Sequence, residues 1–164
     1  MAYVGRCASG VERDWGLEMD IEFSQLELRY DKLRRRNANK ERQLVASLTE
    51  NGQQLPVVVI THDDASHPYV LVDGYKRTRA LKKLRHDTVR ATVWDLSEVD
   101  AVVLERLMRT AESDGPLEQG WLLEELNDRF ALSHEELARR FEKSQSWGSR
   151  RLAFVRAVPR EVQD

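Results

Sequence analysis

A single cysteine, Cys7, stands in a chain of 164 residues. One thiol supplies neither a disulfide framework within the chain nor a Cys-based zinc site. His62, His67, His86 and His134 are scattered without the spacing of a ligand set, so no metal site is expected. No apolar run approaches the ~18 residues of a membrane-spanning helix. The N-terminus lacks the apolar core of a signal peptide. These absences point to a reducing, cytoplasmic compartment and to no role in the membrane. Repeats and low-complexity tracts are missing as well.

Charge is plentiful, at 33% of residues, and nearly balanced, with a formal net charge of −2. It is unevenly spread. Residues 29–42 and residues 73–90 each carry seven Lys/Arg against two acids, whereas residues 95–142 carry five against thirteen. Residues 143–160 carry five Lys/Arg and no acid. Basic blocks separated by an acidic one suggest local anion-binding faces rather than a general affinity for polyanions.

Hydrophobic periodicity sorts the chain into two parts. Residues 1–20, with Gly5, Gly10 and Gly16, read as a loose lead-in. Ile21 to Leu28 can hold a short strand. Lys40 to Glu50 is helical, with Leu44, Val45 and Leu48 on one face and Asn51-Gly52 as its C-cap. The β-branched run Leu55 to Ile60 is a buried strand, followed by a polar turn and a second strand, Tyr69 to Val72. Tyr75 to Leu84 is a helix and Thr88 to Trp94 an alternating strand. Beyond Trp94 every periodic segment is helical. Ser97 is the N-cap of a helix ending near Ser113, and Pro116 suits the first position of the next. The fold class is α+β, with four parts: lead-in 1–20, an N-terminal α/β domain 21–95, a connecting helix 96–115 and an all-helical domain 116–164.

Two stretches carry chemistry. In the first, Val72-Asp73-Gly74-Tyr75-Lys76-Arg77-Thr78-Arg79-Ala80, a strand stops at a tight turn and a helix begins with Lys76, Arg77 and Arg79. A helix N-terminus offers unpaired N–H groups and partial positive charge, so the place suits phosphate. The alternative is a helix capped by Asp73 with a solvated cationic face. In the second, Ser133 and Glu136 form a capping box. A short helix follows with Leu137, Ala138 and Phe141 inward, and after a turn another runs from Gln145 to Val158. That is a helix-turn-helix pattern. Ser144, Gln145, Ser146 and Trp147 open the second helix without an acid, as base-edge readers do, and Arg150 and Arg151 lie behind them, suited to backbone or base contacts. The alternative is a plain helical hairpin. Gly148, inside this helix, either permits a close crossing or lowers its stability.

The order of these parts resembles the ParB-type partition proteins. The carriers are Leu55-Pro56-Val57-Val58-Val59, the box Gly74 to Ala80, an acidic helical linker, and Leu132 to Leu152. The resemblance spans roughly residues 21–164. It implies a ParB/sulfiredoxin-like N-terminal domain that binds CTP with Mg²⁺ and clamps around double-stranded DNA, and a helix-turn-helix that reads a palindromic site as a homodimer. A ParA-type ATPase is the implied partner, and the nucleoid the implied location. By position, Gly74, Lys76, Arg77 and Arg79 would hold the triphosphate, and Gly52, Gln54 and Pro56 would line the nucleotide. Glu105 and Arg109 fall on the Glu and Arg of a second family motif, with Glu105 the catalytic candidate. The box departs from the family at Tyr75 and Lys76, and Arg106 stands where the family has the Asn that helps place Mg²⁺. Binding without metal-assisted hydrolysis is therefore the expectation. The family's C-terminal dimerisation domain is not represented before Asp164, so the chain reads as a fragment or a shortened member, with weak, salt-sensitive DNA affinity as a monomer.

Other functions fit less well. A sulfiredoxin needs a Cys beside the phosphate box, where Asp73 stands. A metal nuclease needs clustered carboxylates, and Asp63-Asp64 sit alone in a turn. The main alternative is a transcriptional regulator of a plasmid or mobile element with a degenerate, non-hydrolysing N-terminal domain.

Overall fold

The computed structural model describes residues 16–109 and 115–158. Cys7, Gly5, Gly10, the expected helix end near Ser113 and the final residues from Pro159 to Asp164 lie outside them. The chain divides into two compact units: Met1–Asp31 with Arg36–Ala101, and Lys32–Arg35 with Val102–Asp164.

The first unit is built on a five-stranded mixed sheet. Its strands are β1 (Glu18–Glu22), β2 (Leu26–Glu27), β3 (Val57–Thr61), β4 (Tyr69–Asp73) and β5 (Thr88–Trp94), in the order β1-β5-β3-β4-β2. β3 and β4 form an antiparallel hairpin, and β3 lies parallel to β5. That parallel pairing needs a crossover, which helix α2 (Tyr75–Lys83) supplies after β4. Helix α1 (Ala38–Asn51) packs on α2. The β-branched runs expected to be strands are strands, and Val57, Val59, Val70, Leu71, Val89 and Ala91 are buried. Each large side chain among them contributes about 1.5–3 kcal/mol on leaving water.

The first strand differs from expectation. It begins at Glu18, inside the segment read as a loose lead-in, and pairs antiparallel with β5 from Glu18↔Thr92 to Glu22↔Thr88. A single turn of 3-10 helix, Phe23–Gln25, then separates it from β2, so residues 21–28 are not one strand. The cause is its edge position: only Ile21 of β1 is buried, and one buried residue leaves no alternation to detect. Gly16 fixes the entry, since a Cβ there would sit 1.7 Å from the Val93 carbonyl oxygen.

Helix α3 (Glu98–Met108) starts at Ser97, whose Oγ accepts from the Asp100 N–H at 3.2 Å. In the second unit, α4 (Pro116–Phe130), α5 (His134–Arg140) and α6 (Gln145–Ala157) enclose Leu122, Leu123, Leu126, Leu137, Leu152 and Val155. Pro116 takes the first helical position, where its missing N–H costs nothing. α4 and α6 meet at Gly120, where a Cβ would lie 2.2 Å from Val155 and 2.7 Å from the Arg151 carbonyl. Gly148 faces an ordinary contact instead, 3.5 Å from the His134 carbonyl. Close packing therefore does not require it, and it lowers α6 stability by roughly 1 kcal/mol relative to Ala.

Candidate functional site

The box at the start of α2 is set by a glycine. Gly74 is the N-cap at φ +99°, and a Cβ there would fall 2.4 Å from a Val57 methyl. As N-cap, Gly74 has no side chain with which to cap the helix. The preceding Asp73 pairs with Arg77 at 2.9 Å. Tyr75 is buried, and its hydroxyl donates to the Leu71 carbonyl. An aromatic here is a core residue rather than a ligand contact.

The cations of the box are largely engaged within the protein. Arg77 Nη1 donates to the Leu55 and Pro56 carbonyls at 2.9 and 2.5 Å. Burial pulls its pKa down, and Asp73 opposes that shift. Of the five guanidinium hydrogens, Nη1 uses two and Nη2 one, leaving Nε and one on Nη2 without a partner among the described residues. Arg79 is held by Asp31 and, at 2.9 Å, by Glu41. Lys83 adds a bond to Glu41 at 3.1 Å, and the Glu41 carboxyl is held below its ordinary pKa, first by that bond. Lys76 is half-buried.

The stretch Gly52 to Pro56 joins α1 to β3 beside Arg77. Gly52 ends α1 at φ +65°, its N–H donating to the Leu48 carbonyl at 3.0 Å, as the expected C-cap does. The Gln54 side chain donates to the Asn51 carbonyl. Arg77 thus brings Pro56 against the box, whereas Gln54 turns back on its own helix.

Glu105 lies in the second unit, 5% exposed, and three guanidiniums surround it. Arg109 pairs with it at 2.5 Å, Arg106 at 3.4 Å and Arg34 at 3.6 Å. Burial, then the like charge of Arg34, pushes the Arg106 pKa down to about 10. Arg34 turns inward as an ion-pair partner of Glu105. A divalent cation beside these guanidiniums would be repelled, so the donor set does not fit Mg²⁺ at Glu105.

The helix pair α5–α6 places the residues expected to meet DNA unevenly. Ser144, Gln145, Ser146 and Arg150 are exposed at the start of α6. Trp147 is half-buried, its ring 5.8 Å from that of Phe141. Arg151 is also half-buried, with Nε donating to Gln119 at 2.7 Å. The turn before α6 carries Glu142 at φ +54°, a conformation that favours glycine, closed by Lys143 N–H to the Ala138 carbonyl at 2.9 Å.

Sequence reasoning missed Gln53, Arg90, Asp31 and Glu41. Gln53 pairs its carboxamide with the backbone of Arg90, accepting from N–H at 2.9 Å and donating to the carbonyl at 2.7 Å. These partners lie 37 residues apart, and Arg79 and Asp31 lie 48 apart. No local pattern signals such pairs.

Residues 17–109 match the ParB N-terminal domain family, more than half of the chain. The probable chromosome-partitioning protein ParB of Treponema pallidum (strain Nichols) is 35% identical over 124 residues, 74% of this chain and 37% of that protein. The nucleoid occlusion protein of Oceanobacillus iheyensis is 28% identical over 127 residues, 76% of this chain and 43% of its own length. The chain therefore spans about two fifths of the length of these relatives. Among solved structures, the C-terminally truncated chromosome-partitioning protein ParB from Caulobacter crescentus, complexed with CTP-gamma-S, aligns with a TM-score of 0.51 at 25% identity, covering 90% of this chain and 83% of that one. A mixed sheet whose crossover helix opens on Gly74, matched over its whole length in sequence, places the chain in the ParB N-terminal domain family.

Proposed function

We propose that this chain is the nucleotide-responsive, DNA-reading part of a ParB-type partition protein, with CTP as the nucleotide. The observation that carries this reading is the N-terminus of α2: Gly74 as N-cap lets the backbone turn tightly into it, and Arg77 beside it keeps two guanidinium hydrogens. Such a terminus attracts a triphosphate through N–H donors and the helix dipole. The relative from Caulobacter crescentus, complexed with CTP-gamma-S, supports the choice of ligand. Gly74, Lys76 and Arg77 would hold the phosphates, with Gly52 to Pro56 along the nucleotide. Arg79 supports α2 through Asp31 and Glu41. Glu105, ringed by arginines, is a poor metal ligand, so nucleotide binding is proposed without metal-assisted hydrolysis.

The α5–α6 pair is proposed as the helix-turn-helix, with Ser144, Gln145 and Ser146 toward base edges and Arg150 toward phosphate. Trp147 and Arg151 support the element from within. Double-stranded DNA, a second copy of the chain and a ParA-type ATPase are the partners of this reading. No helix among the described residues is long and apolar enough to cross a membrane. The engagement of Arg77 and Arg79 within the protein favours one competing reading, a DNA-binding regulator whose N-terminal unit has lost its ligand.

Isothermal titration with CTP, with and without Mg²⁺, separates the two. Saturable heat that Arg77→Ala abolishes, and that is insensitive to Mg²⁺, is the expected result. Absence of heat, or heat unchanged by the substitution, leaves the plain regulator. For DNA, Gln145→Ala should change sequence preference in a binding selection. Arg150→Ala should weaken all sites alike and reduce the salt slope by about 1.

A further inference from the structure

The segment Gln53 to Pro56 is held in an unusual way. Each of its four carbonyls accepts from a guanidinium. Arg90 Nη2 takes those of Gln53 and Gln54 at 2.9 and 2.6 Å. Arg77 Nη1 takes those of Leu55 and Pro56 at 2.9 and 2.5 Å. Gln53 adds its carboxamide, which bonds both backbone groups of Arg90 and donates to the Leu55 carbonyl at 3.0 Å. The reason for Gln53 lies in the register. β3 first meets β5 at Val57↔Ala91, so Arg90 lies one residue beyond the reach of β3. A carboxamide has one acceptor and two donors, and stands in for the missing peptide unit.

All four carbonyls are thereby committed to the protein side. The N–H groups of Gln53, Gln54 and Leu55 have no hydrogen-bond partner among the described residues. The segment is a stretch of backbone whose acceptors are occupied and whose donors are open, fixed by cations anchored on two different elements, α2 and β5.

We propose that Arg90 and Gln53 are positioning residues for the nucleotide: together with Arg77 they lock Gln53 to Pro56 as a donor-bearing wall that meets acceptor atoms of the ligand. This rests on the nucleotide-binding reading above. Arg77 then has two duties, presenting hydrogens to phosphate and holding half of the wall. Arg90 has the second, and its side chain, 41% exposed, also lies 4.0 Å from Glu18. Its lost bonds would be felt as ligand affinity, since loosening a pre-set wall makes binding supply the ordering.

The test is CTP titration of the whole chain in three variants, with unfolding midpoints recorded in parallel. Arg90→Gln and Gln53→Ala should each weaken CTP about tenfold or more. Arg90→Lys, which offers a point charge rather than a fork, should recover only part of that loss. Hydrogen exchange provides the readout a purely stabilising role would not move. In the wild type, CTP should slow exchange at the Gln53, Gln54 and Leu55 amides, and in Arg90→Gln that protection should fall while protection at α2 persists. Should Arg90→Gln not fold, Gln53→Ala carries the test alone. Wild-type binding with both variants unchanged overturns the inference and leaves the function standing. A wild type that binds no nucleotide overturns both.

Discussion

Arginines in two regions of this protein meet opposite circumstances. On α2, cations and acids are matched: Arg77 has Asp73 and two carbonyls, and Arg79 and Lys83 divide Asp31 and Glu41 between them. Around Glu105, Arg34, Arg106 and Arg109 share one buried carboxylate. In the first region each guanidinium faces a carboxylate that no other guanidinium of α2 shares. In the second, three like charges crowd around a buried carboxylate, and the depressed Arg106 pKa records the cost. The sequence shows Arg-rich spacing in both. The number and burial of the acids decide which set can serve a ligand and which is already strained.

Removing the shared carboxylate should produce the largest effect. Glu105→Gln removes the buried carboxylate that Arg34, Arg106 and Arg109 share and should cost about 3 kcal/mol in denaturant unfolding. A loss below about 0.5 kcal/mol would mean the two regions are equally balanced, and the contrast fails.

Relieving the crowding should act in the opposite direction. Arg106→Gln should stabilise the protein, on the order of 1 kcal/mol at pH 7. The sign follows from the shift: the folded pKa, about 10, lies below the ordinary guanidinium value of the unfolded chain. The unfolded chain binds more protons between those values, so wild-type stability rises there and the advantage of the variant shrinks. Stability profiles of both proteins from pH 7 to 11 check this, and a constant difference would contradict it.

The smallest effect belongs to the matched region. Glu41→Gln should cost about 0.5–1 kcal/mol at neutral pH. The folded pKa of Glu41 lies below its ordinary 4.5, so its contribution is present above that value and is lost as the pH falls through the folded one. Wild type and variant should therefore converge in acid, and parallel curves below pH 4 would break the assignment.

Much of the first unit was legible because its strands are β-branched runs and its glycines mark turns. Gly52 and Gly74 were readable as punctuation, and both take positive φ. The hidden features share one property, distance along the chain. β1 gains its order from β5, about 70 residues later. Arg79 looks free until Asp31 and Glu41 are folded against it. The spacing that marked Trp147 and Arg151 as DNA contacts cannot distinguish an outward side chain from one turned to Phe141 or Gln119. Conversely, Ser144, Gln145, Ser146 and Arg150 are exposed, as the acid-free helix start suggested.

Gln53 restricts what chemistry could ever replace it. Its carboxamide must accept from one N–H and donate to two carbonyls at once. Glutamate has the length but brings no hydrogen to give. Lysine gives hydrogens but has no oxygen to receive one. Asparagine carries the right group one methylene too short to span from the loop to β5. Beside the two guanidiniums, the seam between α1 and the sheet thus depends on a side chain for which the genetic code offers no equivalent, and drift at this codon would loosen it.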